Sequence, residues 1–558
     1  MILKGSKHDW ELAPVDAGLV AGIRNATGVS ETFARVMAAR GVRSGDDGRR
    51  FLNSLEDPLP DPHLLPDAER VVERVRAALE SRELIAVHGH DDADGVTATA
   101  IMLEALDQLG ASVVSYIPDR KAEGHGLSRG ELDRLHASGV SLVVTVDSCV
   151  SDREFIRYGN EIGIDTIVTD HHEIPRQLPP AVAVVNPKLP DSRFPYRYMA
   201  GVGVALRVAD LLLDELRGDF GPAGEHAPWY GPRWRHEAFA LAAIGSIADK
   251  VPMTGDNRSI VTQGLAAAPA TDRVGLRVAL EEARIWGRDL SPEDVRDSLG
   301  RLLGRAPGDS PGSQKALDLL LARNPDEARA LAVALVARQE RWRETAISAW
   351  RKVRGGFNDE SSAPVIVLEV DVPMGVVGYV ASRLTEETGR PVIMVTERGS
   401  ESVAEARGPV GFNFVDAFSA MSDLFIGYGG HPRAAGFSMD PSHLSAFKDE
   451  MTEFAGSHPP VPLPRQLDAE LPFVEASPEL GLELEKMWPF GQSNRRALFV
   501  SRGVTSSTVD DAGARGVRFG TPVRIGERPV DVVFRLRNSE GVALISIVDA
   551  IPAGASGG

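Results

Sequence analysis

Val87-His88-Gly89-His90-Asp91-Asp92-Ala93-Asp94-Gly95-Val96-Thr97 sets three metal-capable side chains, His90, Asp92 and Asp94, at alternate positions where an apolar run ends. The preceding Leu84-Ile85-Ala86-Val87 reads as a buried strand, and the stretch from Thr97 to Leu103 after Gly95 reads as a turn opening into a helix. Residues two apart in extended backbone face the same side, so the three groups converge if strand geometry continues through them. Carboxylates crowded in this way repel and raise one another's pKa, a conflict that a divalent cation resolves. For this segment alone, an acidic turn that caps the following helix is the alternative.

Working outward, Ser141-Leu142-Val143-Val144-Thr145-Val146 is a second strand-like run and delivers Asp147, while Asp165-Thr166-Ile167-Val168-Thr169 delivers Asp170-His171-His172. Strand-like runs separated by helical stretches, each ending in a carboxylate or imidazole, predict a doubly wound α/β sheet whose ligands gather beyond the carboxyl ends of its parallel strands. A fourth apolar run, Ala242-Ala243-Ile244-Gly245-Ser246-Ile247-Ala248, ends at Asp249. Mixed Asp and His ligation favours Mn²⁺ with Mg²⁺ as a substitute. Structural zinc usually takes several cysteines, and Cys149 is the single one here. Two ions about 3.5–4 Å apart can clamp a phosphodiester, which points to phosphate-ester hydrolysis.

His90-x-Asp92-x-Asp94-Gly95, Asp147, Asp170-His171-His172 and Gly245-Ser246-Ile247-Ala248-Asp249, in this order, resemble the motifs of the DHH phosphoesterase superfamily. Gly201-Val202-Gly203-Val204-Ala205 and Val251-Pro252 with Gly255-Asp256-Asn257-Arg258 narrow the resemblance to the RecJ family of single-strand-specific exonucleases. So do Gly375 to Arg383, Gly429-Gly430-His431 with Ala434-Ala435-Gly436, and Pro489-Phe490-Gly491-Gln492-Ser493-Asn494. The resemblance covers most of the chain. It implies that His90, Asp92, Asp94, Asp147, His171 and Asp249 are metal ligands, and that Asp170 and His172 support the cluster or touch the scissile phosphate. Arg383, Arg407, Gly429, Gly430 and His431 would hold a substrate phosphate. Glycines expose backbone N–H groups, and an Arg or His adds a charge-assisted donor aimed at the same oxygens. Taken alone, Gly429-Gly430-His431 also reads as an ordinary turn.

The departures matter as well. His90 stands where the family more often has Asp, and Cys149 where it usually has glycine, so either a coordinating thiolate or a small packed side chain fits there. Lys250 replaces a commonly apolar residue, and Glu405 and Gly408 flank Ala406-Arg407 where small hydroxyl residues are usual. The extra carboxylate bears on how strongly Arg407 holds phosphate.

Along the 558 residues the expected organisation is a helical lead-in over 1–56 and a catalytic metal-binding domain over 57–270. A helical connector over 271–355, a DHH-associated α/β domain over 356–458 and an OB-like β-barrel over 459–558 follow. The connector centres on one long helix from Asn324 to Arg354, whose Arg338, Arg341, Arg343, Arg351, Lys352 and Arg354 suit either phosphate contacts or a solvated charged face. The Gly-, Pro- and Trp-rich insert between Arg217 and His236 suits base stacking or a self-packed loop. In the terminal barrel Phe499, Phe519 and Phe534 are candidate stackers, with core positions expected for at least two.

With 61 Lys and Arg against 79 Asp and Glu, the net charge of −18 excludes a surface coated with nucleic-acid-binding charge but leaves room for a basic groove. One cysteine permits no internal disulfide, which suits a reducing cytoplasm, and no run approaches the roughly 20 apolar residues of a membrane span. The expected activity is a manganese-dependent exonuclease on single-stranded DNA, serving repair, recombination or replication. The 5′→3′ polarity, mononucleotide products, monomeric state and replication or single-strand-binding partners are what the resemblance implies. An RNA or short-oligonucleotide phosphodiesterase and an inactive replication scaffold are the alternatives. The terminal barrel weighs against the shortest substrates, and the complete set of ligand-type residues weighs against the scaffold.

Overall fold

β-Branched, apolar segments bounded by turns build the sheet that carries the first motifs. In the computed structural model, five parallel strands lie in the spatial order Ser112–Tyr116, Leu84–His88, Val140–Val146, Asp165–Thr169 and Ala183–Val185. The residues described are 2–5, 9–118, 126–221, 233–304, 312–358, 363–461, 464–520 and 525–552. From Leu84–His88 the chain crosses to one side, and from Val140–Val146 to the other. The switch point between these neighbours is where a parallel sheet opens a crevice. Register brings the strand ends into line: Val146 pairs with Thr169, Asp147 N donates to Thr169 O at 2.9 Å and Asp170 N donates to Val185 O at 3.0 Å.

The helix Ala93–Gln108 is buried along almost its whole length, against Gly201–Leu216, Trp234–Ala248 and Gly312–Leu321. Small residues such as Ala98, Ala100 and Ala105 let those neighbours approach closely. Two expectations change here. The alternation through Asp94 does not continue as strand, because the helix starts at Ala93. The fourth apolar run is not a strand either, but the last turns of Trp234–Ala248, with Asp249 as its C-cap.

The connecting helix runs Pro325–Gly356, 32 residues or about 48 Å at 1.5 Å per residue. Asn324 caps it by accepting from Asp326 N and Glu327 N, and Pro325 occupies its first turn. Arg338 is not a phosphate contact: it is buried and donates to Gly304 O at 2.8 Å. Lys352 and Arg354 pair with Asp371 and Glu387, whereas Arg341, Arg343 and Arg351 are exposed. Beyond it, five strands lie in the order Gly427–His431, Ala434–Met439, Glu401–Arg407, Val392–Arg398 and Ile366–Glu369, with only the last pair parallel.

The amino-terminal segment is not purely helical. Ile2–Lys4 and Asp9–Leu12 form a hairpin, and Asp9–Leu12 pairs in parallel with Arg465–Leu467. Three helices, Ala17–Thr27, Glu31–Ala39 and Gly45–Leu52, follow, and Phe33, Val36 and Met37 share one core with Phe473, Phe499 and Phe534 of the carboxyl-terminal unit. That unit is a five-stranded sheet in the order Ala469–Glu470, Phe499–Val504, Val530–Ser539, Val542–Pro552 and Val517–Phe519. Among the described residues no strand pairing joins its two edges. Phe499 and Phe534 are fully buried and make core contacts rather than offering stacking faces, while Phe519 is partly buried against Phe473. Most of the aromatic insert, residues 222–232, lies outside the described residues. Among the described residues no helix is long and apolar enough to cross a membrane.

Arg258 joins the amino-terminal helices, the metal domain and the carboxyl-terminal unit. Its buried guanidinium donates to Met487 O at 2.7 Å, Lys486 O at 3.0 Å and Phe51 O at 3.2 Å, and lies 3.9 Å from the Phe51 ring centre. Replacing it strands several buried carbonyl groups. Arg258→Ala is therefore expected to destabilise the protein by about 3 kcal/mol, read as a lowered denaturation midpoint. An unchanged midpoint would show that Arg258 does not hold these units together.

Candidate metal centre

Asp92 caps the helix and also borders the cluster. Its carboxylate accepts from Gly95 N at 2.9 Å as the N-cap of Ala93–Gln108, and also lies 3.0 Å from His90 Nδ1. Asp94 sits in the first helical turn, so His90, Asp92 and Asp94 converge through a strand-to-helix corner. Both Asp94 oxygens are held by backbone amides at the start of Gly201–Leu216, with Gly201 N at 2.8 Å and Val202 N at 2.9 Å. A helix N-terminus has free N–H groups and a positive dipole end, which suits a buried carboxylate. The glycine-rich segment thus has a physical task, and no spacing in the sequence announced these two donors.

Asp147 adopts a left-handed backbone conformation with φ of 59° and turns into the same space. A Cβ on Gly201 would lie 2.3 Å from Asp147 Oδ1, so only glycine lets the helix come this close. His171 Nε2 lies 3.1 Å from Asp147 Oδ1, 3.8 Å from Asp249 Oδ2 and 4.0 Å from Asp94 Oδ2. Two ligand groups result: His90, Asp92 and Asp147, and Asp94, His171 and Asp249, each with donor atoms within 4.8 Å of one another. The Asp147–His171 contact joins them. Asp147 with His171 and His172 forms a third, overlapping group. Buried Asp147 Oδ1 accepts no well-formed hydrogen bond, which leaves its lone pairs directed at the cluster. The donor set of carboxylates and imidazoles fits Mn²⁺ or Mg²⁺.

Asp170 has a different surrounding. It accepts from Val150 N, His171 N, His172 N and the His172 ring at 3.0, 2.7, 3.1 and 2.7 Å. Burial would raise its pKa, but the His172 bond and charge prevail and hold it at about 2. With its oxygens occupied, Asp170 fixes the half-exposed His172 ring, whose pKa this bond raises. Cys149 is no ligand. Its thiol packs in an apolar cluster with Leu127, Val143 and Ile156, and burial pushes its pKa well up. Its φ of 77° is a conformation that glycine adopts without strain, which explains the family's preference for glycine there.

Electrostatics record the crowding. Burial, reinforced by Asp249, raises Asp94 to about 7, and burial, reinforced by Asp92, raises Asp249 to about 7. Asp147 is raised well above the carboxylate range by burial and by Asp94, Asp92 and Asp249. Burial lowers the pKa of His171, which keeps the ring neutral and able to donate a lone pair.

The residues of the second domain divide. Arg407, Ala434 and His431 stand side by side in register across three strands, and so do Glu405, Gly436 and Gly429. This face is a shelf of small residues edged by His431, and the whole of Gly427–His431 is exposed. Gly430 has φ of 131°, and a Cβ there would meet Ala435 Cα at 2.5 Å. Arg407 is engaged elsewhere: its Nη1 donates to Glu405 at 2.8 Å and to Ala406 O at 2.8 Å. Arg383 does not join the group. It lies 4.8 Å over Trp350 of the long helix and donates to the Tyr379 hydroxyl at 3.1 Å.

The DHH family N-terminal domain model matches residues 84–224, and the DHHA1 domain model matches 362–457. The single-stranded-DNA-specific exonuclease RecJ of Escherichia coli is 32% identical over 484 residues, covering 83% of this chain and 82% of that protein. The chain belongs to the RecJ family. The Bacillus subtilis RecJ is 29% identical over 95% of this chain, which spans 66% of that relative's length. Crystalline RecJ from Thermus thermophilus in complex with Mn²⁺ superposes with a TM-score of 0.76 at 28% identity, over 97% of this chain and 79% of that one.

Two predictions follow from the raised carboxyls. Below pH 7, Asp94 and Asp249 hold protons that an ion must displace, so Mn²⁺ affinity should fall as pH drops from 8 to 6, with proton release in calorimetry across buffers of different ionisation enthalpy. In the unfolded chain these groups ionise near pH 4, as free Asp does, so the metal-free fold binds more protons than the unfolded chain between about 4 and 7 and loses stability as pH rises through that window. Mn²⁺ should reverse the loss. Separately, Gly201→Ala should displace Asp147 and weaken Mn²⁺ binding at least about tenfold with circular dichroism unchanged. Full Mn²⁺ affinity in that variant would contradict the close approach.

Proposed function

We propose that this chain is a metal-dependent exonuclease that hydrolyses phosphodiester bonds of single-stranded DNA. The observation that carries the reading is a pair of overlapping carboxylate–imidazole groups, joined through Asp147 and His171 at the switch point of a parallel sheet. Relatives of the same architecture are named single-stranded-DNA-specific exonucleases. Two divalent ions, Mn²⁺ with Mg²⁺ as a substitute, held by His90, Asp92, Asp94, Asp147, His171 and Asp249, would supply Lewis-acid activation of water and of the phosphodiester.

The remaining roles belong to the chain's own groups. Asp94 and Asp147 are locked by backbone amides and a close helix, so their oxygens need little rearrangement on binding. His172, half exposed beside the cluster and with its pKa raised by the Asp170 bond, can donate to a phosphate oxygen. Gly430 and His431 would hold the strand from the opposite side. Arg407, paired with Glu405, orders that shelf and contributes less to phosphate binding. The terminal sheet, read as an OB-like strand platform, would carry DNA leading to the cleft. Polarity of 5′→3′, mononucleotide products, action as a monomer in the cytoplasm and contact with replication or single-strand-binding proteins complete the proposal by family membership.

End-labelled single-stranded DNA, duplex DNA and RNA, incubated with Mn²⁺, Mg²⁺ or chelator, test it. Degradation of single-stranded DNA with Mn²⁺, its loss with chelator, and a fall of about 10³-fold or more in Asp147→Ala and His171→Ala are expected. His431→Ala should cost more activity than Arg407→Ala. Intact turnover in Asp147→Ala, or a preference for RNA, would overturn the assignment.

A further inference from the structure

Asn186 is buried, and its side chain forms a clamp: Nδ2 donates to His172 O at 3.0 Å, and Oδ1 accepts from Lys188 N at 2.9 Å. The clamp holds Lys188 against the His172-Glu173 corner, where Lys188 Nζ donates to Glu173 Oε1 at 2.8 Å. The two partners differ in setting. The Glu173 side chain is 84% exposed and that of Lys188 only 23%, so the ammonium is the member built into the wall and the carboxylate is the removable one.

Through Asn186 and Glu173, Lys188 is tied to the segment that carries His171 and His172, which share a candidate ligand group with Asp147. An ammonium at this corner is no metal ligand but pairs with anions: Glu173 here, and a phosphodiester oxygen once a strand enters. Because the Glu173 carboxylate is largely solvated, its pairing is weak and an incoming phosphate can take over the ammonium at little cost. Arg407 is engaged by Glu405.

We propose that Lys188 is a substrate-phosphate contact on the metal-domain wall, beside His172, and that Glu173 holds its ammonium in place until a strand enters. This rests on the exonuclease reading and adds a binding residue to it.

The test compares Lys188→Gln, Lys188→Arg and Glu173→Gln at saturating Mn²⁺. Lys188→Gln should raise KM for single-stranded DNA about tenfold with kcat changed less than about twofold, and should reduce the slope of log affinity against log salt by about 1. Lys188→Arg should restore most of the affinity. Glu173→Gln should move KM in the other direction, downward, because it frees the ammonium. Mn²⁺ affinity by calorimetry should stay constant in all three. The inference falls if Lys188→Gln leaves KM and salt slope unchanged, if both neutral variants shift KM the same way, or if Lys188→Gln weakens Mn²⁺ binding. Wild-type turnover checks the exonuclease reading separately. Were turnover absent, fluorescence anisotropy of a labelled oligothymidylate with wild type and Lys188→Gln would still decide the role of Lys188.

Discussion

Negative charge forced into one buried corner governs this molecule. Four aspartates from three distant segments, Asp92, Asp94, Asp147 and Asp249, meet beyond the carboxyl ends of a parallel sheet, with His90, His171 and His172 among them. The carboxylates of Asp94, Asp147 and Asp249 would ionise more readily in water. The fold opposes that preference with rigid parts: the strand register, two amides of a helix start, and a glycine that admits the helix to within contact of Asp147. Such a corner is stable in its ionised form when cations share the space, so ion binding and folding of this region are linked.

The second domain complements that corner. Its sheet turns a face of Gly429, Ala434 and Gly436 upward, and lacking bulky side chains it leaves a flat path flanked by His431 and the Arg407–Glu405 pair. A backbone carrying regularly spaced charges fits such a path better than an isolated small anion does. Glu405 tempers Arg407 within this shelf, so binding strength there is distributed over several modest donors.

Much of this was legible in the residues. Long β-branched runs ending in Asp147 and Asp170 announce a parallel sheet and the edge where its ligands gather, because buried strands need apolar side chains on both faces. The family motifs led to the ligand set and to the two following domains. What the sequence left open depended on tertiary contact. Alternation of His90, Asp92 and Asp94 looks the same in a strand as at a helix start, and the amide donors Gly201 and Val202 carry no side-chain signature. Arg338 looks like its exposed neighbours, yet it is buried on backbone carbonyls. Phe499 and Phe534 could be read as stacking faces or core, and packing alone assigns them to the core. The amino-terminal strands escaped notice because Ile2–Lys4 and Asp9–Leu12 are short and gain their partner from residues more than 450 positions away.

That last pairing bears on how the protein is made. Trp10 is fully buried, and its indole donates to Asp549 at 2.9 Å, in the final strand of the carboxyl-terminal sheet. At roughly 5–20 residues per second of synthesis, the hairpin waits on the order of half a minute or more before the segment at 465–467 leaves the ribosome. During that interval its apolar faces, and those of the three helices that follow, have no cover. A chaperone would thus matter most for the amino-terminal end, although the metal-binding sheet between can fold first.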